Sequence, residues 1–130
     1  MKILVTGSSG FIGSHLTEYL VERGYGVVAF DRYNNNNHYG WLEKSKYKKK
    51  IEFILGDIRD YDSVNKAMKG CQSVMHLAAL IGIPYSYISP TAYIKTNVEG
   101  TLNILESAKN LKLKQVIITS TSEVYGTAIK

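Results

Sequence analysis

Closely spaced glycines near the amino terminus are the first residues in the sequence whose spacing suggests ligand binding. Gly7, Gly10 and Gly13 follow a G-x-x-G-x-x-G pattern between an apolar run and a segment of helical period. Glycine allows a tight turn and close backbone approach to a ligand, and the first N–H groups of a helix attract anions. The pattern therefore predicts a pyrophosphate site, with Phe11 and Ile12 among its binding residues.

Two acidic residues end later apolar runs. Asp31 lies 18 residues beyond Gly13, where a carboxylate can accept hydrogen bonds from the ribose hydroxyls of an adenosine. This favours NAD over NADP because the carboxylate repels a 2′-phosphate, although the neighbouring Arg32 could instead bind that phosphate. Asp57 either hydrogen-bonds an adenine amino group or serves as a turn or helix N-cap residue.

A polar triplet, Thr121-Ser122-Glu123, follows the last apolar run. A carboxylate beside two hydroxyls could act as a general base on a substrate. Taken alone, the triplet is better interpreted as a polar turn in which Glu123 is solvated.

Short apolar runs alternate with segments of helical period, which predicts an α/β fold. Right-handed crossovers then give a Rossmann-like, doubly wound parallel sheet with strand order 3-2-1-4-5, whose ligands bind at the carboxyl ends of the strands. The predicted strands are Ile3 to Thr6, Val27 to Phe30, Ile51 to Leu55, Ser73 to Leu77 and Gln115 to Thr119.

The helical segments and loops are predicted from apolar spacing and from breakers. Tyr33 to Lys50 is expected to be a loop with a short helix near Trp41, Tyr61 to Met68 a helix, and the stretch marked by Pro84 and Pro90 a loop. The first helix should bury a face comprising Ile12, Leu16, Tyr19 and Leu20. A long helix from about Thr91 to Asn110 should bury Ile94, Val98, Leu102, Leu105 and Ala108.

Composition predicts one soluble domain in a reducing compartment. The 130 residues suffice for one core, and the single cysteine, Cys71, has no disulfide partner, so a cytoplasmic location is expected. No run is long enough for a signal peptide or a membrane span. The net charge is +5, but five basic residues are concentrated in Lys44 to Lys50, which favours an exposed connection over a nucleic-acid site.

The histidines do not predict a metal site. His15 and His38 have no second ligand at metal-site spacing, and His76 ends a buried strand, which favours a hydrogen-bonded structural histidine.

Together the motifs resemble the extended short-chain dehydrogenase/reductase family of NAD-dependent epimerases and dehydratases, and the resemblance covers essentially the whole chain. It implies that Leu77, Ala78 and Ala79 line the central part of NAD and that Asn97 stands near cofactor and substrate. The motifs are the glycine turn, Asp31, Gly56-Asp57-Ile58, His76-Leu77-Ala78-Ala79, Asn97-Val98-Glu99-Gly100-Thr101 and Ser120-Thr121-Ser122-Glu123-Val124-Tyr125-Gly126.

Within that family the triplet is similar to that of nucleotide-sugar 4,6-dehydratases, because epimerases usually have small uncharged residues where Glu123 stands. The resemblance implies oxidation at the sugar C4, removal of the C5 proton by Glu123, loss of water from C6 and return of hydride to C6. Thr121 would hydrogen-bond the C4 oxygen. Ser122 stands where some dehydratases carry an aspartate, which leaves the proton donor to the departing water open.

Two segments, Tyr33 to Leu42 and Ala79 to Tyr87, resemble dehydratases that act on nucleotide-activated N-acetylglucosamine in legionaminic-acid-type pathways. This implies that Pro84, Tyr85 and Ser86 contact the sugar, although these residues could equally close the domain surface. A nucleotide sugar is the expected partner, and the resemblance allows a homodimer of the longer protein.

One element of the family's chemistry is missing from the sequence. The family's hydride step uses a tyrosine and a lysine four residues later, and none of the ten tyrosines has lysine at that spacing. We therefore expect residues 1–130 to be an incomplete NAD(P)-binding Rossmann domain, truncated after the fifth strand and inactive alone. A 4-epimerase of the same family and a non-catalytic dinucleotide-binding module are the alternatives.

Overall fold

The computed structural model describes residues 1–126, so residues 127–130 of the predicted domain lie outside the described residues. Its sheet is parallel throughout, with the order β3-β2-β1-β4-β5, which confirms the predicted topology. The strands are β1 (Lys2–Thr6), β2 (Gly26–Arg32), β3 (Ile51–Gly56), β4 (Ser73–His76) and β5 (Gln115–Ile118).

Helices connect the strands in the predicted rhythm. The α-helices are α1 (Phe11–Glu22), α2 (Tyr61–Met68), α3 (Ile83–Ile88), α4 (Pro90–Tyr93) and α5 (Gly100–Asn110). A π-helical segment, Ile94–Glu99, joins α4 to α5, and short 3-10 helices occupy Gly40–Lys44, Lys48–Lys50 and Ser122–Tyr125.

The core lies on both faces of the sheet, because successive side chains of a strand point to opposite faces. Leu4 and Val28 pack with Val64 of α2 and Ile104 of α5 on one face. On the other face, neighbouring strand residues pack with Leu20 and Val21 of α1 and with Leu42.

The buried face of α1 differs from the predicted one. Ile12 and Tyr19 are exposed, whereas Gly13, Ser14 and Thr17 are buried with Leu20. The helix starts so close to the glycine turn that only small side chains fit on its inner side there.

The buried face of the long helix was also wrongly predicted. Its extent is confirmed, but the predicted residues other than Ala108 are exposed, namely Ile94, Val98, Leu102 and Leu105. The helix instead turns Gly100, Ile104 and Ser107 inward with Ala108. Apolar residues lie on two sides of this helix, and the side that meets α2 carries the smaller ones.

The stretch around Pro84 and Pro90 is helical rather than a loop. Each proline lies in the first turn of its helix, where it has no N–H to leave unpaired. Within residues 1–126, no helix is long and apolar enough to cross a membrane, and no cluster of potential ligands could hold a metal ion.

Candidate functional site

The glycine turn packs tightly between β1 and α1. Gly7 has a φ of 67°, and a Cβ there would lie 2.9 Å from the Ala78 nitrogen. A Cβ on Gly13 would lie 2.0 Å from the Gly7 carbonyl oxygen. Gly10 is the N-cap of α1, and no described side chain caps the helix there. The turn thus leaves the helix N-terminus open to an anion.

A cleft of about 390 Å³ lies at the carboxyl ends of the strands, where a doubly wound sheet binds its ligands. We call it the first cleft. It brings together nine of the predicted cofactor residues: Gly7, Gly10, Asp31, Arg32, Asp57, Ile58, Leu77, Ala78 and Ala79. The side chain of Ile58 is nevertheless buried in the core, so its backbone is what it offers to a ligand.

The other predicted cofactor residues do not line this cleft in the described part of the chain. The side chains of Phe11 and Ile12 are exposed, and Phe11 packs edge-on against Trp41 with ring centroids 5.6 Å apart. Gly13 lies behind the turn, against the Gly7 carbonyl.

Asp31 is held at the edge of the glycine turn. Its Oδ2 accepts hydrogen bonds from the Ser9 backbone N–H at 2.5 Å and from the Ser8 hydroxyl at 3.4 Å. Its Oδ1 accepts from the Arg32 backbone N–H at 2.9 Å. Because a carboxylate has about four acceptor sites, Asp31 can also accept from ribose hydroxyls.

Asp57 and Arg59 form an ion pair at the same end of the first cleft. The Arg59 guanidinium donates to both carboxylate oxygens, with Nη2 2.5 Å from Oδ2 and Nε 2.9 Å from Oδ1. Its backbone N–H also donates to Oδ1. This guanidinium holds the pKa of Asp57 below its usual value. Asp60, not Asp57, is the N-cap of α2.

A second cleft, of about 450 Å³, lies at the carboxyl ends of β4 and β5. Leu77 to Leu80 line both clefts and form the wall between them. Asn97 lines the second cleft, where its side-chain amide accepts from the Leu80 N–H at 2.9 Å and donates to the Leu80 carbonyl at 2.8 Å. The residue thus braces the wall.

The polar triplet is only partly gathered at the second cleft. Thr121 lines it, and the Thr121 hydroxyl accepts the Glu123 backbone N–H at 3.2 Å, capping a 3-10 turn. The Glu123 side chain is exposed and is absent from the described lining of either cleft.

The predicted sugar-contacting residues separate in the structure. Tyr85 lines the first cleft, beside the cofactor residues, with Ala92 and Thr96. Pro84 is exposed, and the Ser86 hydroxyl donates to the Ile83 carbonyl at 2.6 Å within its own helix. Neither is among the described lining residues of the two clefts.

Sequence reasoning missed three residues at the site, namely Arg59, Gly40 and Trp41. Arg59 is the partner of Asp57, and its position two residues after a strand-end acid was an available signal. Gly40 and Trp41 lie against the glycine turn, where the Trp41 N–H donates to the Ser9 carbonyl at 3.1 Å. No local signal pointed to that contact, because 32 residues separate its partners.

The sheet order and the glycine turn define a Rossmann-type α/β protein, and comparisons with known proteins narrow the class. A family model described as GDP-mannose 4,6 dehydratase matches residues 4–130. The chain is 40% identical to a UDP-N-acetyl-alpha-D-glucosaminuronate decarboxylase of Bacillus cytotoxicus, over 96% of this chain and 38% of that protein.

Solved structures of two further enzymes are similar to this fold. DesIV, a dTDP-glucose 4,6-dehydratase of Streptomyces venezuelae solved with NAD, aligns with a TM-score of 0.87 and 30% identity, over 100% of this chain and 42% of that one. A UDP-glucose 4-epimerase of Thermotoga maritima, solved with UDP-glucose, aligns with a TM-score of 0.84 and 34% identity, over 100% and 41%.

The chain therefore belongs to the family of NAD-dependent nucleotide-sugar epimerases and dehydratases. This confirms the family resemblance. The relatives include dehydratases and epimerases, so membership does not by itself select one reaction. The chain spans about two fifths of the length of the curated relatives it matches, at 41%, 39% and 38% for three of them.

Proposed function

We propose that the first cleft binds NAD, with the pyrophosphate at the glycine turn and the adenosine between Asp31 and Asp57. The observation that carries this proposal is the close approach of Gly7 to Ala78. A Cβ added to Gly7 would lie only 2.9 Å from the Ala78 backbone nitrogen. Such a glycine cradle beside an open helix N-terminus fits a pyrophosphate. Several structural neighbours were solved with NAD, which supports the same cofactor.

Titration calorimetry tests this proposal on the purified protein. NAD should bind more tightly than NADP because Asp31 disfavours a 2′-phosphate. Equal affinities would mean that Arg32, which is exposed at the same end of the cleft, binds the 2′-phosphate and offsets its repulsion by Asp31. If neither NAD nor NADP bound, the proposal would be contradicted.

We propose further that the protein functions as a nucleotide-sugar 4,6-dehydratase. Glu123 supports this choice, because a carboxylate at this strand end can remove the C5 proton of a sugar that has been oxidised at C4. NAD would supply the chemistry of accepting hydride from C4 and returning it to C6. Thr121, at the second cleft, would donate a hydrogen bond to the C4 oxygen.

The rival reaction, 4-epimerisation, is favoured by the epimerases among the relatives. The two reactions differ at C5. A dehydratase removes the C5 proton and later replaces it from solvent, whereas an epimerase leaves C5 untouched. Product mass also differs, since dehydration removes one water and epimerisation conserves mass.

The assay uses a nucleotide-activated N-acetylglucosamine in D2O, with mass spectrometry of the product. From a form of the protein that also carries a Tyr-x-x-x-Lys pair, we expect a 4-keto-6-deoxy sugar with deuterium at C5. In that form Glu123→Gln should abolish product formation while NAD affinity stays unchanged. An isomer of unchanged mass would identify an epimerase. Glu99→Gln is a matched control, because Glu99 is an exposed carboxylate outside the described lining of both clefts.

The 130-residue chain is proposed to be inactive alone, because its sequence contains no Tyr-x-x-x-Lys pair to exchange the C4 hydroxyl proton. Loss of such an acid–base group typically lowers a rate by about 10² to 10⁴. The same assay should therefore detect turnover only in a form of the protein that also carries such a pair. Turnover by the 130-residue chain would contradict this part of the proposal.

A further inference from the structure

Side-chain hydrogen bonds, one buried and one partly buried, connect three elements directly beside the wall between the two clefts. The His76 ring is 3% exposed. Its Nδ1 lies 2.7 Å from the Thr6 hydroxyl at the end of β1, and its Nε2 lies 3.1 Å from the Thr101 hydroxyl of α5. We call this arrangement of Thr6, His76 and Thr101 the His76 bridge.

The partners of the two threonines assign the protons of the bridge. The Thr101 hydroxyl donates its hydrogen to the Asn97 carbonyl at 2.7 Å, so its oxygen accepts from the ring at Nε2. The Thr6 oxygen accepts two backbone N–H groups at 3.2 Å, so its own hydrogen is donated to Nδ1. All groups are satisfied by a neutral imidazole protonated on Nε2.

The bridge fixes the wall at its first two residues. The N–H groups that Thr6 accepts belong to Leu77 and Ala78, and Thr6 directly precedes Gly7. The Ala78 backbone is also what a Cβ on Gly7 would strike. The wall and the glycine turn therefore meet where Thr6 ties them together. At the far end of the wall, Asn97 binds Leu80 through both side-chain atoms.

We propose that His76 is a positioning residue for the dinucleotide, since its bridge sets the distance between the wall and the glycine turn. The inference rests on the proposed NAD site. His76 acts through the backbone of Leu77 and Ala78, which line the first cleft, while its own ring lies at the floor of the second. Thr101 takes part in this positioning because its hydroxyl oxygen accepts the Nε2 proton and so fixes the tautomer of the His76 ring.

A positioning role and a merely structural role give different binding patterns. AMP occupies the adenosine end, near Asp31 and Asp57, whereas NAD also spans the wall. Loosening the wall should weaken NAD binding and leave AMP binding unchanged. General destabilisation would affect both ligands or neither.

The test compares Thr101→Val, which keeps the side-chain shape and removes the acceptor, with Thr101→Ser, which keeps the hydroxyl. We expect NAD affinity to fall by up to about tenfold in the first variant, the size expected for the loss of one hydrogen bond, and to stay within about twofold in the second. AMP affinity should be unchanged in both. Val64→Ala, a core variant in α2, controls for lost stability and should leave both affinities unchanged.

Unchanged NAD affinity in Thr101→Val, or equal losses for NAD and AMP, would overturn the inference. A nitrogen-15 NMR spectrum of the His76 ring gives a second measurement that needs neither ligand nor variant. We expect the proton on Nε2, and a proton on Nδ1 would overturn the inference while leaving NAD binding intact. If the unmodified protein bound neither NAD nor AMP, the proposed function would fail, and the inference with it.

Discussion

The two sides of the sheet differ in how firmly they hold the residues at their strand ends. On the β2 and β3 side, Asp31 is hydrogen-bonded to the glycine turn and Asp57 is paired with Arg59. On the β5 side, every residue of the strand is exposed, and so is the Glu123 side chain beyond it.

This difference separates a preorganised region from one that needs ordering. A carboxylate that is already fixed binds a ligand with little loss of side-chain freedom, whereas an exposed one must lose that freedom first. The cofactor end of the site is therefore prepared before a ligand arrives. In the proposed role of Glu123 as a base, a substrate or a packed neighbour must first order its side chain.

The largest effect on the preorganised region is expected from Gly13→Ala. The new Cβ would lie 2.0 Å from the Gly7 carbonyl oxygen, so the turn or α1 must shift. We expect the free energy of unfolding to fall by about 3 kcal/mol or more, and NAD binding to become undetectable by calorimetry.

Gly26→Ala is the matched control for this substitution. Gly26 lies in β2, has no positive φ, and its added Cβ would meet the Lys2 side chain at an ordinary 3.6 Å. The Gly26→Ala variant should retain NAD binding. Tight NAD binding by Gly13→Ala would show that the turn is far more adaptable than its geometry implies.

The His76 bridge predicts a pH dependence of nearly the same size. Burial lowers the pKa of His76 from 6.5 to about 4. Below pH 6.5 the unfolded chain therefore binds a proton that the folded protein does not, and stability falls as the pH drops towards 4. The shift corresponds to a loss of about 3 kcal/mol over this window.

Urea unfolding at several pH values measures this loss. His76→Asn should be less stable near neutral pH and should lack most of the decline over that window. The exposed His15 and His38 are present in both proteins and contribute equally. An identical decline in the variant would assign the titration to another group.

A smaller effect is expected from Asp31→Ser, which tests the adenosine end. The ratio of NAD to NADP affinity should fall about tenfold, or about 1.4 kcal/mol, because repulsion of the 2′-phosphate is lost. Asp62→Ser makes the same charge change on the exposed side of α2 and should leave the ratio unaltered. A constant ratio in Asp31→Ser would remove Asp31 from cofactor selection.

Local patterns were sufficient to predict the sheet order, and nine of the predicted cofactor residues lie together at the first cleft. Gly7 and Asp57 directly follow β1 and β3, and Asp31 is the last residue but one of β2, so their neighbours in sequence place them. The buried side of the long helix could not be predicted this way, because Ile104 and Leu105 are equally apolar and only packing against α2 distinguishes them.

Long-range contacts account for the other differences. The prediction that His76 is hydrogen-bonded is confirmed. Its partners could not be predicted, because Thr6 and Thr101 lie 70 and 25 residues away in the sequence. Tyr85, which was predicted to contact the sugar, lines the first cleft beside the predicted cofactor residues, and its role stays a prediction. The roles of Glu123, Thr121 and Ser122 stay predictions.

The smallest effect is expected from Arg59→Gln, which removes the partner of Asp57. Both side chains are partly exposed, at 39% and 32%, so solvent screens the pair and its loss should cost less than about 1 kcal/mol.

The Asp57–Arg59 pair holds the pKa of Asp57 below 3.8, so the contribution of the pair to stability is present above that pH and disappears as the pH falls further. The stability difference between the two proteins should therefore be measurable by urea unfolding near neutral pH and should shrink as the pH falls below 3.8. NAD affinity should fall by no more than about threefold, because the Arg59 backbone N–H, which the substitution keeps, still holds Oδ1 of Asp57. A loss of tenfold or more would mean that the guanidinium itself contacts the cofactor, and the adenosine end would then depend on Arg59 rather than on the carboxylate it orients.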